Sequence, residues 1–295
     1  MGENMDPKEL NALISLLDDP DEIIFKEVRV KLISLGFDVI PVLENAWEHS
    51  FNAVLQTRIE NIIHTIQFQK ISEDLREWAR SDKQDLLDGS ILITKYQYPD
   101  LDEKKIRKQL DQMKQDVWLE INDNLTALEK VKIINHIMYD VYQLSGNTTN
   151  YHAPQNSYIN NVLESKKGNP ISLSIIYAVI AQSLDIPVYG VNLPEHFVLA
   201  YKDLGAVPII SKSKLGDSRI LFYVNAFSKG AVFSRREIDA FIKQLKLVPE
   251  PAYYDTCSNL DMIKRVIRNL IIAYEKQGMQ EKKDELESLL NSISM

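Results

Sequence analysis

The 295-residue sequence is poor in cysteine: Cys257 is the only one, and no apolar run is long enough to span a membrane. A lone cysteine cannot form an intrachain disulfide, which argues against a disulfide-stabilised secreted scaffold and suits a reducing compartment. The opening residues, MGENMDPKEL, are acidic and lack the apolar core of a signal peptide. These absences predict a cytoplasmic protein without a membrane-spanning segment.

Basic residues are in the minority, with 34 Lys and Arg against 42 Asp and Glu and a net charge of −8 at pH 7. Non-specific nucleic-acid binding depends on Lys and Arg side chains that neutralise phosphates. The short basic clusters at 104–108 and 235–236 are flanked by acids, a pattern typical of a solvated helix face. We therefore expect no nucleic-acid partner.

Motifs for cofactors and metals are missing as well. The chain has no P-loop, no G-x-G-x-x-G dinucleotide fingerprint and no G-x-S-x-G nucleophile elbow. His49, His64 and His136 lie singly on predicted helices and share no metal-ligand spacing. The sequence therefore predicts neither a cofactor nor a metal site.

The first 82 residues are predicted to be entirely helical. A helix that starts after Asp19-Pro20-Asp21 and stops at Gly36 is followed by a second at 39–47. A further pair is predicted at 52–66 and 69–80. Apolar residues of the first helix recur at helical spacing, namely Ile24, Val28, Leu32 and Leu35. Such paired helices resemble a HEAT-type repeat, or else form a plain helical cap on the next domain.

Residues 83–248 change from helical patterns to strand patterns. Segments rich in Val, Ile, Tyr and Phe are separated by Pro, Gly, Asp and Ser. Four strands are predicted there: IPVYGVNL, HFVLAYK, AVPII and RILFYVNAF. Helices followed by strands favour an α+β domain with an antiparallel sheet. Residues 249–295 then predict a helical hairpin that turns near Gly278 and resembles one tetratricopeptide unit.

The segment KKGNPISLSIIY, residues 166–177, predicts an unusual helix start. Gly168 permits a tight turn, Asn169 can cap a helix, and Pro170 suits the first helical position. The residues that follow are apolar on nearly every side, so the helix is expected to be buried. Its N-terminus carries free N–H groups and a partial positive charge. Downstream, His196 begins one predicted strand and Asn225 lies near the end of another.

This segment belongs to a longer motif, NTTNYHAPQNSYINNVLESKKGNPISLSIIYAVIAQSLDIPVYGVNLPEHFVLAY. The motif resembles the transglutaminase-like superfamily, in its bacterial SirB-type branch. The upstream segment DLLDGSILITKYQYPDLD and the C-terminal hairpin resemble that branch too, so the likeness covers residues 84–295. It implies a transglutaminase-like, papain-like α+β core with an antiparallel sheet, preceded by a HEAT-like region and followed by the hairpin.

The resemblance also implies where a catalytic triad would lie. Active members use a Cys nucleophile at a helix N-terminus, a His base on the next strand and an Asp that orients the His. The matching positions here are Pro170, His196 and Asn225, and Glu195 stands where the branch favours Gly. Asn can still orient a His. Pro170 has no nucleophilic atom, however, and the loss of a nucleophile typically lowers turnover by about four to six powers of ten.

No other residue is predicted to replace the missing nucleophile. Ser172 and Ser174 follow Pro170 closely, but a buried helical Ser usually hydrogen-bonds a backbone carbonyl. Cys257 lies outside the motif. The polar loop around His152 is either a solvated loop, which is the default for such a segment, or part of the mouth of the same cleft. The residues expected to form a binding cleft are Asn156, Tyr158, Asn169, Ser172, Glu195, His196 and Asn225.

These observations favour a non-catalytic transglutaminase-like protein, a pseudoenzyme that binds a protein or peptide as a regulatory module. The resemblance agrees, because a eukaryotic relative joins this domain to an F-box. One alternative is a peptidase- or amidase-type hydrolase that uses His196 without a Cys nucleophile, with Glu195 and His196 activating water. Another is a scaffold whose cleft is filled by its own side chains.

Overall fold

A computed structural model describes residues 6–203, 205 and 219–294. The protein forms two compact units that divide between Asp74 and Leu75. In the first unit, helices and 3-10 turns alternate in the order α1 (Pro7–Ser15), a turn at Leu16–Asp18, α2 (Glu22–Ser34), a turn at Gly36–Val39, α3 (Ile40–Glu48) and the start of α4 (Ala53–Arg80). Its core consists of apolar side chains from every one of these segments, among them Leu17, Leu32, Leu43, Ile59 and Ile62.

The helix boundaries of the first unit follow its capping residues. Asp21 accepts a hydrogen bond from the N–H of Ile23 at 2.8 Å, which caps the start of α2 as predicted. Gly36 adopts a φ of +67°, a backbone conformation that glycine tolerates best, and this turn follows α2.

The prediction of two helices at 52–66 and 69–80 was wrong. The structure has one continuous helix, α4, from Ala53 to Arg80. Neither Gly nor Pro occurs between the predicted helices, so nothing interrupts the backbone hydrogen bonds there. The HEAT-like assignment of residues 1–82 stays a prediction.

The second unit contains most of the helices and all of the strands described. Its helices are α5 (Leu86–Gln97), α6 (Glu103–Glu120), α7 (Ala127–Asn135), α8 (Ile159–Ser165), α9 (Pro170–Gln182), α10 (Arg235–Gln244), α11 (Asn259–Lys276) and α12 (Gln280–Ser292). A π-helical turn, His136–Val141, continues α7, and short 3-10 turns lie at Pro154–Ser157, Ala226–Ser228 and Pro251–Tyr253. No helix among the described residues is long and apolar enough to cross a membrane.

The strands confirm the predicted α+β class. β1 (Ser145–Gly146) and β2 (Lys167–Gly168) form a short parallel pair. The main sheet is antiparallel in the order β3 (Val188–Val191), β4 (Val198–Lys202), β5 (Ile220–Asn225) and β6 (Ala231–Phe233). β3, β4 and β5 were predicted, β6 was not, and the predicted strand AVPII lies outside the described residues.

Helix α9 is the central element of the second unit. Every one of its residues except Val179 and Gln182 is buried, as its apolar sequence predicts. It contacts β3 and β4 of the sheet and also α5, α6 and α11. The start of α9 is therefore fixed from several sides, which makes it a rigid platform for a site.

The C-terminal hairpin packs on this core. Gly278, with a φ of +72°, separates α11 from α12 as predicted. α11 contacts α5 and α9, and the hydroxyl of Tyr274 lies 2.9 Å from that of the buried Tyr158. The helices from residue 259 onward thus belong to the same compact unit as the sheet. The boundaries predicted at 82/83 and 248/249 stay predictions.

Gly190 of β3 lies against the segment that leads into α11, since its carbonyl accepts from the Cys257 N–H at 2.8 Å. A Cβ at this position would lie 2.6 Å from Cζ of Phe197, 2.9 Å from Sδ of Met262 and 3.0 Å from Sγ of Cys257. We expect Gly190→Ala to lower the free energy of unfolding by about 1–3 kcal/mol, because overpacking forces buried neighbours to move. Equilibrium urea unfolding measures the difference.

Phe197→Leu provides the matched test, since it removes the ring carbon that comes closest to the new methyl group. The double variant should be less destabilised than the sum of the two single variants, because the clash is shared between these side chains. Additive losses would show that the 190–197 contact is not the source of the strain.

Candidate functional site

The start of α9 is held by a closed set of hydrogen bonds. Asn169 Oδ1 accepts from the Ser172 N–H at 2.9 Å, and Ser172 Oγ accepts from the Asn169 N–H at 3.0 Å. The Asn169 Nδ2 group donates to Ser157 Oγ at 2.8 Å. This capping box confirms the predicted helix start and sets Pro170 at the first helical position.

A cavity of about 180 Å³ lies beside this helix start. Pro170 and His196 both line it, so the structure brings the predicted nucleophile and base positions to one space. Further lining residues come from the start of α9, the 151–157 loop and the segment just before β4: Tyr151, His152, Ala153, Ser157, Asn169, Ile171, Glu195 and Phe197. Helix α11 closes the cavity with Arg265, Asn269, Ile272 and Ala273.

His196 is paired with Asn225, the residue at the predicted acid position. Asn225 Nδ2 lies 3.2 Å from His196 Nε2. The orientation of the amide is set by its other end, because Asn225 Oδ1 accepts from the backbone N–H groups of Phe227 and Ser228, each at 3.1 Å. If the amide were turned the other way, its NH₂ group would face the backbone N–H groups of Phe227 and Ser228, and neither hydrogen bond could form. Asn225 therefore donates to Nε2, and neutral His196 carries its proton on Nδ1.

This polarity is the reverse of that in a catalytic triad. There the third residue accepts a hydrogen bond from one ring N–H, and the opposite nitrogen is free to act as a base. In this protein the opposite nitrogen, Nδ1, holds the proton and has no hydrogen-bond partner among the residues that the structure describes. His196 thus presents a hydrogen-bond donor on a ring that lines the cavity.

Burial lowers the pKa of His196, and the positive charge of Arg265 acts in the same direction. Because the unperturbed pKa of His is about 6.5, the lowered value keeps the imidazole neutral at pH 7. An imidazolium would also set a second N–H against the amide of Asn225. The neutral Nδ1–H form is therefore the one that the site maintains.

The two serines near Pro170 do not pair with His196. Ser172 is occupied by the capping box, and its hydroxyl also donates to the Asn169 carbonyl at 3.2 Å. Ser174 is fully buried, and its hydroxyl has no partner among the described residues. Neither serine is hydrogen-bonded to the His196 ring, so neither has a base to activate it.

Two other predicted cleft residues lie behind the cavity wall. Asn156 donates to the carbonyls of Asn150 and Tyr151, at 2.7 and 3.1 Å, and accepts from Asn147. It thereby holds the 151–157 loop, which carries four lining residues. Tyr158 is buried against Tyr274. Of the predicted cleft residues, those that line the cavity are Asn169, Glu195 and His196, and those that do not are Asn156, Tyr158, Ser172 and Asn225.

Glu195 occupies a strained position at the edge of the cavity. Its φ is +58°, in the left-handed region, and the residue is exposed. Residues other than glycine disfavour this conformation, because their Cβ atom comes too close to the following carbonyl oxygen. The pattern that this sequence resembles favours glycine before the histidine, and the left-handed backbone gives a physical reason for that glycine. This chain has Glu195 there instead.

The lining residues of α11 were not predicted. They lie at i, i+4, i+7 and i+8 and therefore share one helix face. Arg265 donates to Asn192 Oδ1 at 2.7 Å and more weakly to the Leu193 carbonyl, and burial lowers its pKa. An Arg and an Asn four residues apart in an amphipathic helix were the available signal. The sequence of the hairpin does not show that this face meets the start of α9.

Cys257 does not supply a nucleophile to this site. It is absent from the cavity lining, and burial raises the pKa of its thiol to about 12. A thiol with so high a pKa is almost wholly protonated at pH 7 and reacts slowly. Across the described ranges no three His, Cys, Asp or Glu side chains are grouped as metal ligands.

Residues 104–268, more than half of the sequence, match the sequence model of the transglutaminase-like superfamily. F-box only protein 21 of Homo sapiens is 26% identical over 246 residues, which cover 75% of this chain and 38% of that protein. The Mus musculus protein of the same name is 25% identical over the same shares. The chain thus spans well under half of these relatives.

Bacterial relatives are also found. A UPF0162 protein of Xylella fastidiosa is 33% identical over 114 residues, which cover 39% of this chain and 41% of that protein. A UPF0162 protein of Vibrio cholerae is 22% identical over 161 residues, which cover 55% of this chain and 54% of that protein. No solved structure shows a significant match to the sequence.

The reversed polarity of the His196–Asn225 pair predicts the tautomer of the ring. In the wild type at pH 7.5, long-range ¹H–¹⁵N NMR spectra should show a protonated Nδ1 and an unprotonated Nε2. Asn225→Asp should move the proton to Nε2, because a carboxylate accepts where the amide donated, and should raise the pKa of His196. His136, which lies outside this pair, serves as an internal control. A wild-type ring protonated at Nε2 would refute the assignment.

The positive φ of Glu195 predicts that glycine stabilises the fold. The left-handed conformation costs a non-glycine residue about 1–2 kcal/mol, and the greater freedom of unfolded glycine offsets about 0.5–1 kcal/mol of this. Glu195→Gly should therefore raise the free energy of unfolding by about 0.5–1 kcal/mol. Glu195→Gln keeps the strain and should stay close to the wild type. Thermal unfolding of the three proteins measures this, and a glycine variant no more stable than the wild type would contradict it.

Proposed function

The chain belongs to the transglutaminase-like superfamily, in a bacterial branch, and we propose that it is a non-catalytic member that binds a protein or peptide in the cavity beside His196. The observation that carries the proposal is Pro170 at the first position of α9, on the cavity wall that it shares with His196. Proline offers no atom that can attack a carbonyl group. Covalent catalysis of the kind that the superfamily implies has no starting point at this position.

The cavity itself supports a binding role. A domain kept only as a scaffold is expected to fill such a space with its own side chains, because an empty cavity forfeits packing energy. Here about 180 Å³ remains open between the start of α9 and α11. Polar and apolar side chains both line it, the mixture that ligand sites commonly show.

The alternative is a hydrolase in which His196 activates water. The retained His196–Asn225 pair suggests this function, but the direction of their hydrogen bond argues against it. A general base needs a ring nitrogen with a free lone pair within reach of the water. Nε2 receives the Asn225 N–H group, and Nδ1 carries the proton of the neutral ring. His196 is thus suited to donate a hydrogen bond to a bound partner and poorly suited to accept a proton.

The binding proposal predicts that a partner depends on His196. Affinity capture from the native cell should recover a reproducible protein with the wild type and at least tenfold less of it with His196→Ala. His136→Ala is the matched control, because this histidine is exposed and its ring contacts Asp140 on the next turn of the same helix. Quantitative mass spectrometry of the three eluates provides the measurement.

If His196→Ala and the wild type recovered the partner protein equally, the partner would not bind in the cavity, and this part of the proposal would be wrong. Turnover of ester or amide substrates by the wild type, abolished in His196→Ala and kept in His136→Ala, would instead establish the hydrolase. Such turnover would have to proceed without a thiol or hydroxyl nucleophile at position 170.

A further inference from the structure

Arg265 is a cation on the cavity wall without a counter-ion. Its guanidinium donates to Asn192 Oδ1 at 2.7 Å and lies 3.5 Å from the Leu193 carbonyl, and these contacts fix its direction. No carboxylate pairs with it in the described ranges 6–203, 205 and 219–294. Removing an unpaired charge from water is unfavourable, so a half-buried arginine of this kind is commonly matched by an anion. The guanidinium has five N–H donors, and the protein uses a minority of them.

The groups beside Arg265 are donors as well. His196 presents Nδ1–H on a ring that lines the cavity, because Asn225 occupies its other nitrogen. Asn269, one turn along α11, lines the cavity and has no hydrogen bond to any described residue. The N–H of Ile171 in the first turn of α9 likewise has no acceptor among the residues described. Donor-bearing residues that line one cavity are complementary to a group that only accepts hydrogen bonds.

Charged and titratable groups at the rim add to the positive balance. Lys276 lies 3.2 Å from His152 Nε2, which places a second cation near the mouth. Tyr151 has a phenol whose pKa burial raises, so it remains a neutral donor. Glu195 is the one acid among the described lining residues, and it is exposed to solvent. An anion that enters the cavity therefore meets more positive than negative charge.

The remaining wall is apolar. Phe197, Ile272 and Ala273 line it together with the side of Pro170. The volume of about 180 Å³ suits a single amino-acid residue rather than a folded segment. A ligand that carries an apolar side chain next to a charged end group would match the apolar part of the wall and the donors around Arg265.

We infer that the cavity binds a carboxylate group of a peptide, with Arg265 as the anchor and His196 and Asn269 as additional donors. The inference deepens the proposed binding function and rests on it. An ionised carboxylate only accepts hydrogen bonds, and its two oxygens match the fork of a guanidinium. The carboxylate can belong to the C-terminus of a peptide or to an Asp or Glu side chain. The apolar wall favours the C-terminus of a peptide that ends in an apolar residue.

Four small probes separate these sources in ¹H–¹⁵N NMR titrations of the full-length protein. N-acetyl-leucine carries a terminal carboxylate, and N-acetyl-leucinamide lacks it. N-acetyl-glutamic acid α-methylamide carries its carboxylate on the side chain, and inorganic phosphate tests for any anion. We expect saturable shifts at the Arg265 Nε–H group with N-acetyl-leucine, and at least tenfold weaker binding of the amide. Tighter binding of the glutamate probe would assign the site to acidic side chains.

Variants on one helix provide the control. Arg265→Gln should weaken the binding of N-acetyl-leucine at least tenfold, and Arg265→Lys should weaken it less, because the charge stays while the fork is lost. Arg268→Gln removes an exposed arginine of the same helix that does not line the cavity and should leave binding unchanged. Thermal unfolding of each variant separates loss of binding from loss of the fold, since Arg265 also holds Asn192.

Several outcomes would overturn the inference: equal binding of the acid and the amide, binding unaffected by Arg265→Gln in a folded variant, no shift with any carboxylate probe, or a preference for phosphate. These results are distinguishable from a failure of the proposed function. A captured partner that depends on His196 while no carboxylate probe binds would leave the binding function in place and remove the carboxylate. A captured partner that does not depend on His196 would remove the cavity as the site of the proposed binding function.

Discussion

The direction of one side-chain amide determines what this cavity can do. The backbone N–H groups of Phe227 and Ser228 hold the oxygen of Asn225, so its nitrogen must face the ring of His196. With that ring nitrogen engaged as an acceptor, the other nitrogen of this cavity-lining imidazole carries a proton rather than a lone pair. Arg265 and the first turn of α9 add donors around the same space. A pocket built in this way selects for electron-rich groups, and recognition and proton abstraction become incompatible uses of one histidine.

Much of this arrangement could be predicted from the sequence because it depends on local physics. Asn169 and Pro170 define a helix start by capping and by a fixed φ, and the apolar residues that follow require burial on every side. β3, β4 and β5 contain enough β-branched and aromatic residues to be recognised. β6 spans only Ala231–Phe233, too short for a pattern to develop, and α4 was divided in two although no residue at the predicted break interrupts a helix.

The remainder depended on contacts between distant parts of the sequence. Periodicity shows that α11 has one apolar face, but it does not show which element that face meets or that Arg265 would border the same space as Pro170. The position of Asn225 followed from resemblance, whereas its polarity required the hydrogen bonds made by Phe227 and Ser228. Tyr158 and Asn156 are close in sequence to cavity-lining residues but do not line the cavity themselves. The hydroxyl of Tyr158 pairs with Tyr274, and the amide of Asn156 is bound within the 147–151 loop.

Pro170 and the donor orientation of the Asn225 amide together limit what a single substitution in the cavity can achieve. A cysteine introduced at position 170 would set a thiol beside a ring whose Nδ1 already holds a proton, so the neutral ring could not take the thiol proton at that nitrogen. Changing Asn225 alone to Asp would move the ring proton to Nε2 and free Nδ1, but position 170 would still offer no thiol. Neither substitution alone gives the site both a nucleophile and a ring nitrogen that can accept its proton. The two positions would therefore have to change together for thiol chemistry to arise in this cavity.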